Sequence, residues 1–326
     1  MGLFTASVKK VGLLTSGGDG PGMNAAIRSV VRGALNRGLQ VDGILRGYAG
    51  LLNNEIIPLN HRSVSNIINR GGTILKTARS REFGDDAGKE KAVKILKEHK
   101  IDALIVIGGD GSYKGAYRLY EKFGFPTIGL PGTIDNDLNG TDETIGCHTA
   151  VNTALDAIDK IRDTAHSMER VFIIEVMGNK SGYIASEVAL GAGAEDVIIP
   201  ERKFDFAKMC EEIKHGHQKG KISWMIVVAE GAGKAPEIAN TITTMTGLES
   251  RFAVLGHIQR GGVPTGRDRI MATRLGAAAV DLVLEGKFGK AVGILQDEIN
   301  VIDLKEATQK EFKHLDDYYK LIKLLT

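Results

Sequence analysis

Apolar residues gather in short runs that close on glycine: VGLLTSGG (11–18), VDGILRGYAG (41–50), ALIVIGGDG (103–111), TIGLPG (127–132), VFIIEVMG (171–178) and WMIVVAEG (224–231). Runs this short, apolar at nearly every position, read as strands buried on both faces of a sheet. Between them apolar positions recur at helical spacing, in NAAIRSVVRGALNRG (24–38), KEKAVKILKEHK (89–100), TALDAIDKIRDTAHSM (153–168) and DRIMATRLGAAAVDLVLEG (268–286). Strand alternating with helix predicts an α/β protein with mainly parallel sheets, whose ligands bind beyond the carboxyl ends of the strands. The glycine turns stand at those ends.

The chain has 326 residues, enough for two domains, but no repeat and no Pro- or Ser-rich linker marks a boundary. No apolar run approaches the roughly 18 residues of a membrane span. The start, MGLFTASVKK, lacks a secretory apolar core and carries Ala6 where myristoylation requires Ser or Thr, so a cytoplasmic protein is expected. Lys and Arg total 42 against 40 acidic residues, a balance that points away from nucleic acid. Cys147 and Cys210 lie far apart without metal-type spacing and are expected to be reduced, structural thiols. Glu and Lys interleave in 89–100 as on a solvated amphipathic helix. Glycine, at 41 residues, is the one skewed count, and its clustering after apolar runs suits phosphate-handling turns.

Four segments could carry chemistry. In SGGDGPGMNAAIR (16–28), Gly17, Gly18, Gly20 and Gly22 would let backbone amides approach an anion at a helix N-terminus. A tight strand-to-helix turn is the alternative, and neither GxGxxG nor GxxxxGK[ST] is present. IVIGGDGSYKGAYRLY (105–120) repeats the plan with Asp110 between glycines: its carboxylate could hold Mg²⁺ or cap the turn, and Ser112 could cap the following helix. In LPGTIDNDLNGTDETIG (130–146), Asp135 and Asp137 would share one face of an extended chain behind Thr133, converging on a polyol unless the segment is an Asx-rich surface turn. GHIQRGGVPTGRDR (256–269) sets His257 three residues before Arg260, donors suited to a phosphate, although a lone His is more often structural.

Together TSGGDGPGMNAAIR, RGGTILKTAR (70–79), IGGDGSY, PGTIDND, EVMG (175–178), AEG (229–231) and GHIQRGG resemble the bacterial-type ATP-dependent phosphofructokinase family in order and spacing over nearly the whole chain. The resemblance implies two three-layer α/β/α domains: an ATP domain from 1–146 plus 259–309, and a fructose-6-phosphate domain from 147–258 plus 310–326. It implies a glycolytic kinase moving the ATP γ-phosphate to the sugar 1-hydroxyl, as a homotetramer. By the family's pattern, Gly18, Tyr48, Arg79, Ser80, Gly109, Asp110, Gly111 and Ser112 would hold ATP, with Asp110 on Mg²⁺. Asp135 would be the base, aided by Thr133, Asp137, Arg79 and Arg170. The sugar phosphate would meet Thr133, Ile134, Asp135, Met177, Gly178, Asn179, Glu230, His257, Ile258, Gln259 and Arg260, with Arg170 and Arg251 supplied by a neighbouring subunit.

Members that use pyrophosphate carry Asp at the position of Gly111 and Lys at that of Gly132, so two glycines imply ATP as donor. An effector pocket for ADP or phosphoenolpyruvate would comprise Arg28, Arg32, His61, Arg162, Glu195, Lys219 and Lys221. The chain departs from the family at Asn179, where an Arg is usual, and at His61 and Asn66, which replace a common Arg and Asp. A pyrophosphate-dependent enzyme and a catalytically weak regulatory homologue are the competing readings.

Overall fold

The computed structural model describes residues 8–309 and 315–326. The N-terminal reading of residues 1–7 and the proposed domain boundary at 310 lie outside them. The chain forms two compact units. Of the described residues, one holds those through Thr149 and those at 260–309; the other holds Ala150–Gln259 and the C-terminal helix.

In chain order the first unit contains β1 (Lys10–Ser16), α1 (Met23–Leu35), β2 (Gln40–Ile44), α2 (Gly47–Leu52), β3 (Ile56–Leu59), α3 (Asp86–Glu98), β4 (Ala103–Gly108), α4 (Asp110–Phe123), β5 (Thr127–Thr133) and the two-residue β6 (Ile145–Gly146). Helix α5 (Cys147–Met168) then leads into the second unit, which contains β7 (Val171–Val176), α6 (Tyr183–Ala192), β8 (Asp196–Ile198), α7 (Phe206–Gln218), β9 (Trp224–Ala229), α8 (Ala235–Thr246) and β10 (Ser250–Val254). The chain returns to the first unit for α9 (Gly266–Leu284), β11 (Lys290–Leu295), β12 (Glu298–Asp303) and α10 (Leu304–Ala307), and ends in the second with α11 (Leu315–Leu325).

The first sheet runs β12-β11-β5-β4-β1-β2-β3, with β6 joined to β5, and is parallel except at β3 and β12. The runs in β1, β4 and β5 are buried almost throughout, as central strands covered on both faces must be. One face packs on α1 and α9, the other on α2, α3 and α4. Pro131, with no N–H to donate, falls in the gap between the pairing of β5 with β11 at Ile128–Gly129 and with β6 at Gly132–Thr133. The second sheet, β10-β7-β9-β8, is entirely parallel. Asp85, Asp205 and Thr265 cap α3, α7 and α9 with side-chain oxygens, and left-handed Gly124, Gly193 and Gly247 end α4, α6 and α8.

Three expectations change. The run 41–50 is not one strand, because Arg46 and Gly47 are left-handed (φ 55° and 58°) and turn the chain from β2 into α2. Helix α5 begins at Cys147, six residues before its apolar period becomes evident at 153. In α3, Lys89 is buried, its ammonium donating to the carbonyls of Gly84 (2.8 Å) and Asp85 (2.9 Å), so that lysine leaves the solvated face.

Candidate active site

Register brings three of the four segments together in the first unit. Ser16 of β1 lies beside Gly108 of β4, and Gly108 beside Pro131 of β5, so the turns 17–22, 109–112 and 134–137 leave the sheet side by side. A Cβ on Gly109 would stand 3.3 Å from Thr133 Cβ, which measures how closely two of these turns approach.

Helix α4 starts inside its glycine motif. Gly109 occupies the N-cap without a side chain to fill it, so Ser112 is not the cap that its residue type suggested. Ser112 instead lies in the first turn, buried, with Oγ 2.5 Å from where a Cβ on Gly108 would be. The amides of Asp110 and Gly111 have no acceptor one turn back within the helix and can meet an anion, whereas Ser112 N donates to Gly109 O at 3.0 Å. Asp110 donates nothing and accepts from Lys114 at 2.9 Å through Oδ2, while its Oδ1 is buried without a hydrogen-bond partner. A buried carboxylate oxygen left over in this way suits a hard cation held by one carboxylate and phosphate oxygens. Among the described residues no cluster of three or more His, Cys, Asp or Glu forms a closed metal site. The Lys114 pairing is an i, i+4 contact that the helical spacing alone could have flagged.

Tyr48 reaches the site indirectly. Its ring is buried and stacks on Phe83 at 3.8 Å, and its hydroxyl donates to Ser112 O at 2.7 Å; burial drives its pKa far above the ordinary phenol value. It supports the α4 turn instead of presenting a free face to a nucleotide. Arg79 is exposed on the loop before the 3-10 turn Glu82–Gly84, and Ser80 Oγ accepts from Phe83 N in that loop (3.1 Å).

Asp135 and Asp137 are both buried, but not through the extended geometry expected of them. Asn136 between them is left-handed (φ 47°), and the segment bends directly after β5. Thr133 Oγ1 accepts from Asp135 N at 3.2 Å, which ties the two residues. Ile134 is fully buried, so its backbone alone could meet a ligand. The fourth segment joins the first: Arg260 Nη1 donates to Asp19 O at 3.2 Å, and a Cβ on Gly18 would collide with that guanidinium.

The second unit gathers its residues at the carboxyl ends of β7, β9 and β10. Glu230 N donates to Val176 O at 2.9 Å, and Glu230 Oε1 accepts from Asn179 N at 2.9 Å. Asn179 is left-handed (φ 55°), a conformation that Asn tolerates better than most residues. Gly231 is required there, because a Cβ would meet Asn179 O at 2.1 Å. Met177 is buried, and Gln259, expected on the sugar, is fully buried with its amide taken: Oε1 accepts from Met177 N (2.8 Å) and Nε2 donates to Ala150 O (3.5 Å). Through these bonds Gln259 braces Met177 N in this structure. Gly178 lies beside it, while His257 and Ile258 are exposed. Arg170 pairs with Glu249 at 2.7 Å, and Arg251 pairs with the same carboxylate. Sequence reasoning missed Glu249, since nothing local distinguishes it.

The effector candidates divide. Arg28 and Arg32 lie on α1, with Arg32 Nε buried and without a hydrogen-bond partner, and His61 is exposed after β3. In the second unit Glu195 accepts from Lys221 (3.1 Å) and from Met225 N (2.6 Å), Arg162 donates to Ala192 O, and Lys219 ends α7.

Residues 10–283 match the sequence family described as phosphofructokinase. The chain is 53% identical over 319 residues to an ATP-dependent 6-phosphofructokinase of Clostridium tetani, covering 98% of this chain and 100% of that one. Among solved structures it resembles the Pichia pastoris phosphofructokinase in the T-state (TM-score 0.88, 34% identity, 99% of this chain and 40% of that one). It also resembles a pyrophosphate-dependent phosphofructokinase from Marinobacter aquaeolei (TM-score 0.81, 25% identity, 97% of this chain and 91% of that one).

Proposed function

The chain belongs to the phosphofructokinase family, and we propose that it transfers the γ-phosphoryl group of ATP to the 1-hydroxyl of fructose 6-phosphate, releasing ADP and fructose 1,6-bisphosphate. The observation that carries this reading is the convergence of three glycine turns at the ends of β1, β4 and β5, with Asp110 and Asp135 on neighbouring turns. Phosphoryl transfer asks the protein for positioning and charge neutralisation more than for covalent chemistry. The first-turn amides of α4 supply donors for ATP phosphates. Asp110 Oδ1 fits Mg²⁺, which when bound neutralises charge on the phosphates. Asp135 accepts the proton of the 1-hydroxyl, with its amide held on Thr133 Oγ1. A carboxylate is a weak base, sufficient where the bond to the departing ADP is largely broken before the bond to the sugar oxygen forms.

The donor follows from the two glycines. A Cβ on Gly111 would meet nothing within 4 Å, leaving the space that a nucleotide needs. At Gly132 a Cβ would meet Ile107 at 2.7 Å, so the lysine of pyrophosphate-using relatives has no room. Met177, Gly178, Glu230 and His257 of the second unit line the sugar, and Arg260 of the first takes a phosphate. Arg79 neutralises charge on the transferred group, while Asp137 stands beside it. Arg170 and Arg251 serve a neighbouring copy in a homotetramer acting in the cytoplasm. A nucleotide or phosphoenolpyruvate effector acts on the enzyme with a response that differs from the family's, given His61 and Asn66.

Purified chain assayed with fructose 6-phosphate and either donor tests the reading. Turnover is expected with ATP and Mg²⁺, lowered by several orders of magnitude in Asp135→Asn with substrate binding retained. Activity with pyrophosphate alone overturns the donor assignment, and near-normal turnover of Asp135→Asn overturns the base.

A further inference from the structure

Asp268, in the first turn of α9, is fully buried, and no role assigned above uses it. A carboxylate withdrawn from water persists where hydrogen bonds replace its hydration. Here they come largely from one distant segment. Oδ1 accepts from Gly146 N at 2.8 Å; Oδ2 accepts from Thr149 N at 2.8 Å, from the Thr149 hydroxyl, and more weakly from Thr265 Oγ1 at 3.4 Å. Burial raises its pKa, while the bonds from Thr149 and Gly146 draw it back down. Thr149 N belongs to the first turn of α5, whose amides have no partners within the helix. Asp268 therefore does from another helix what an N-cap side chain does locally, and its charge is favourable at that end.

The bonds continue toward the chemistry. Gly146 pairs with Thr133 in the short ladder between β6 and β5. Thr144 Oγ1 donates to Thr133 O at 2.6 Å, and Thr133 Oγ1 accepts from Asp135 N at 3.2 Å. On its other side Asp268 meets the first glycine turn: a Cβ on Gly22 would lie 3.5 Å from Asp268 Cβ, and one on Gly146 would lie 3.0 Å from Pro21 O. One buried carboxylate thus stands beneath both the turn 17–22 and the segment feeding Asp135.

We infer that Asp268 is a positioning residue for the phosphoryl transfer, fixing Gly146 and the start of α5 so that Thr133 and Asp135 hold their place against the first glycine turn. It touches neither substrate. The inference rests on the reading of Asp135 as base. A displacement of about 1 Å in a reacting group can cost on the order of a hundredfold in rate, so a long-range brace of this kind should register in turnover.

A double-mutant cycle of Asp268→Asn and Asp135→Asn, normalised to folded protein by circular dichroism, measures it. Asp268→Asn places an amide NH₂ among N–H donors and should lower kcat on the order of 10- to 100-fold, with KM for both substrates changed less than about threefold. In the Asp135→Asn background the same change should cost less than about twofold, because residues acting through one another are not additive. Equal losses in both backgrounds, or a raised KM at unchanged kcat, would reduce Asp268 to a structural residue. A normal kcat for Asp268→Asn beside a collapsed Asp135→Asn sinks the positioning role alone. Near-normal turnover of Asp135→Asn sinks the base assignment and the role built on it. Should Asp268→Asn fail to fold, Thr149→Val removes one donor to the same carboxylate and should lower kcat by about three- to tenfold. Thr149→Ser, which keeps the hydroxyl, should restore it; a loss that Ser does not rescue counts against the brace.

Discussion

Two glycines that look alike in sequence are held for opposite reasons. Gly132 is walled in, and any Cβ there must displace Ile107; Gly111 faces open space on the first turn of α4. An aspartate at position 111 therefore fits the fold, since an acidic side chain in a helix's first turn is electrostatically welcome. It would also put negative charge beside Asp110, where the nucleotide phosphates are proposed to lie. Gly111→Asp should raise the KM for ATP by at least tenfold and shift the thermal midpoint by less than about 2 °C, an ordinary surface-substitution effect. Steady-state kinetics with unfolding scans decide it. An unchanged KM for ATP would move the nucleotide away from this turn. No equivalent test exists at Gly132, where lost packing would mask any change of donor.

Helix α11 shows how one element depends on a single buried charge. Its Lys323 bridges Asp196, at the start of β8, at 3.0 Å and Glu212 of α7 at 2.5 Å, and Asp196 is almost wholly buried. Burial raises the Asp196 pKa despite the lysine, and the carboxylates, Glu212 foremost, raise that of Lys323 against its own desolvation. The signs follow: Lys323 contributes stability below its unfolded pKa that is lost as pH rises through the folded value. Buried Asp196 costs most when ionised and least when protonated. Lys323→Met should thus destabilise the second unit by about 2–4 kcal/mol at pH 7, as breaking a buried pair does. The deficit should narrow toward pH 4, and Asp196→Asn in the same chain should recover most of it. Urea unfolding at both pH values checks this, and a deficit independent of pH would show that Asp196 is not the cause. None of this was legible in sequence, where residues 196 and 323 are far apart and each looks like a surface charge. What was legible is local: buried strands ending on glycine, helical periods, and the segments carrying Asp110 and Asp135. Where a local reading failed, at 41–50 and at 135–137, the cause was a left-handed residue (Arg46, Asn136), which leaves no periodic trace; the distant partnership of Asp268 with α5 leaves none either.

At the scale of the whole molecule, the proposed chemistry needs more cations than one copy commits to it. Arg170 and Arg251 are both held by Glu249 of their own chain, in pairs that keep some solvent exposure. Ion pairs with exposed partners are worth only about 0–1 kcal/mol, and a phosphate carrying a greater charge than one carboxylate can draw such arginines away from it. If they serve a neighbouring copy, damage to the base and damage to the arginines fall on different subunits of one site. Asp135→Asn homomers and Arg170→Ala/Arg251→Ala homomers should each be nearly inactive, yet chains co-expressed in equal amounts should recover roughly a quarter of wild-type turnover. That fraction is the share of sites in random closed assembly that take an intact base from one chain and intact arginines from the next. Recovery should require assembly and vanish when preformed homomers are mixed without exchange. Hybrids that assemble but stay inactive would return both arginines to the site of their own chain.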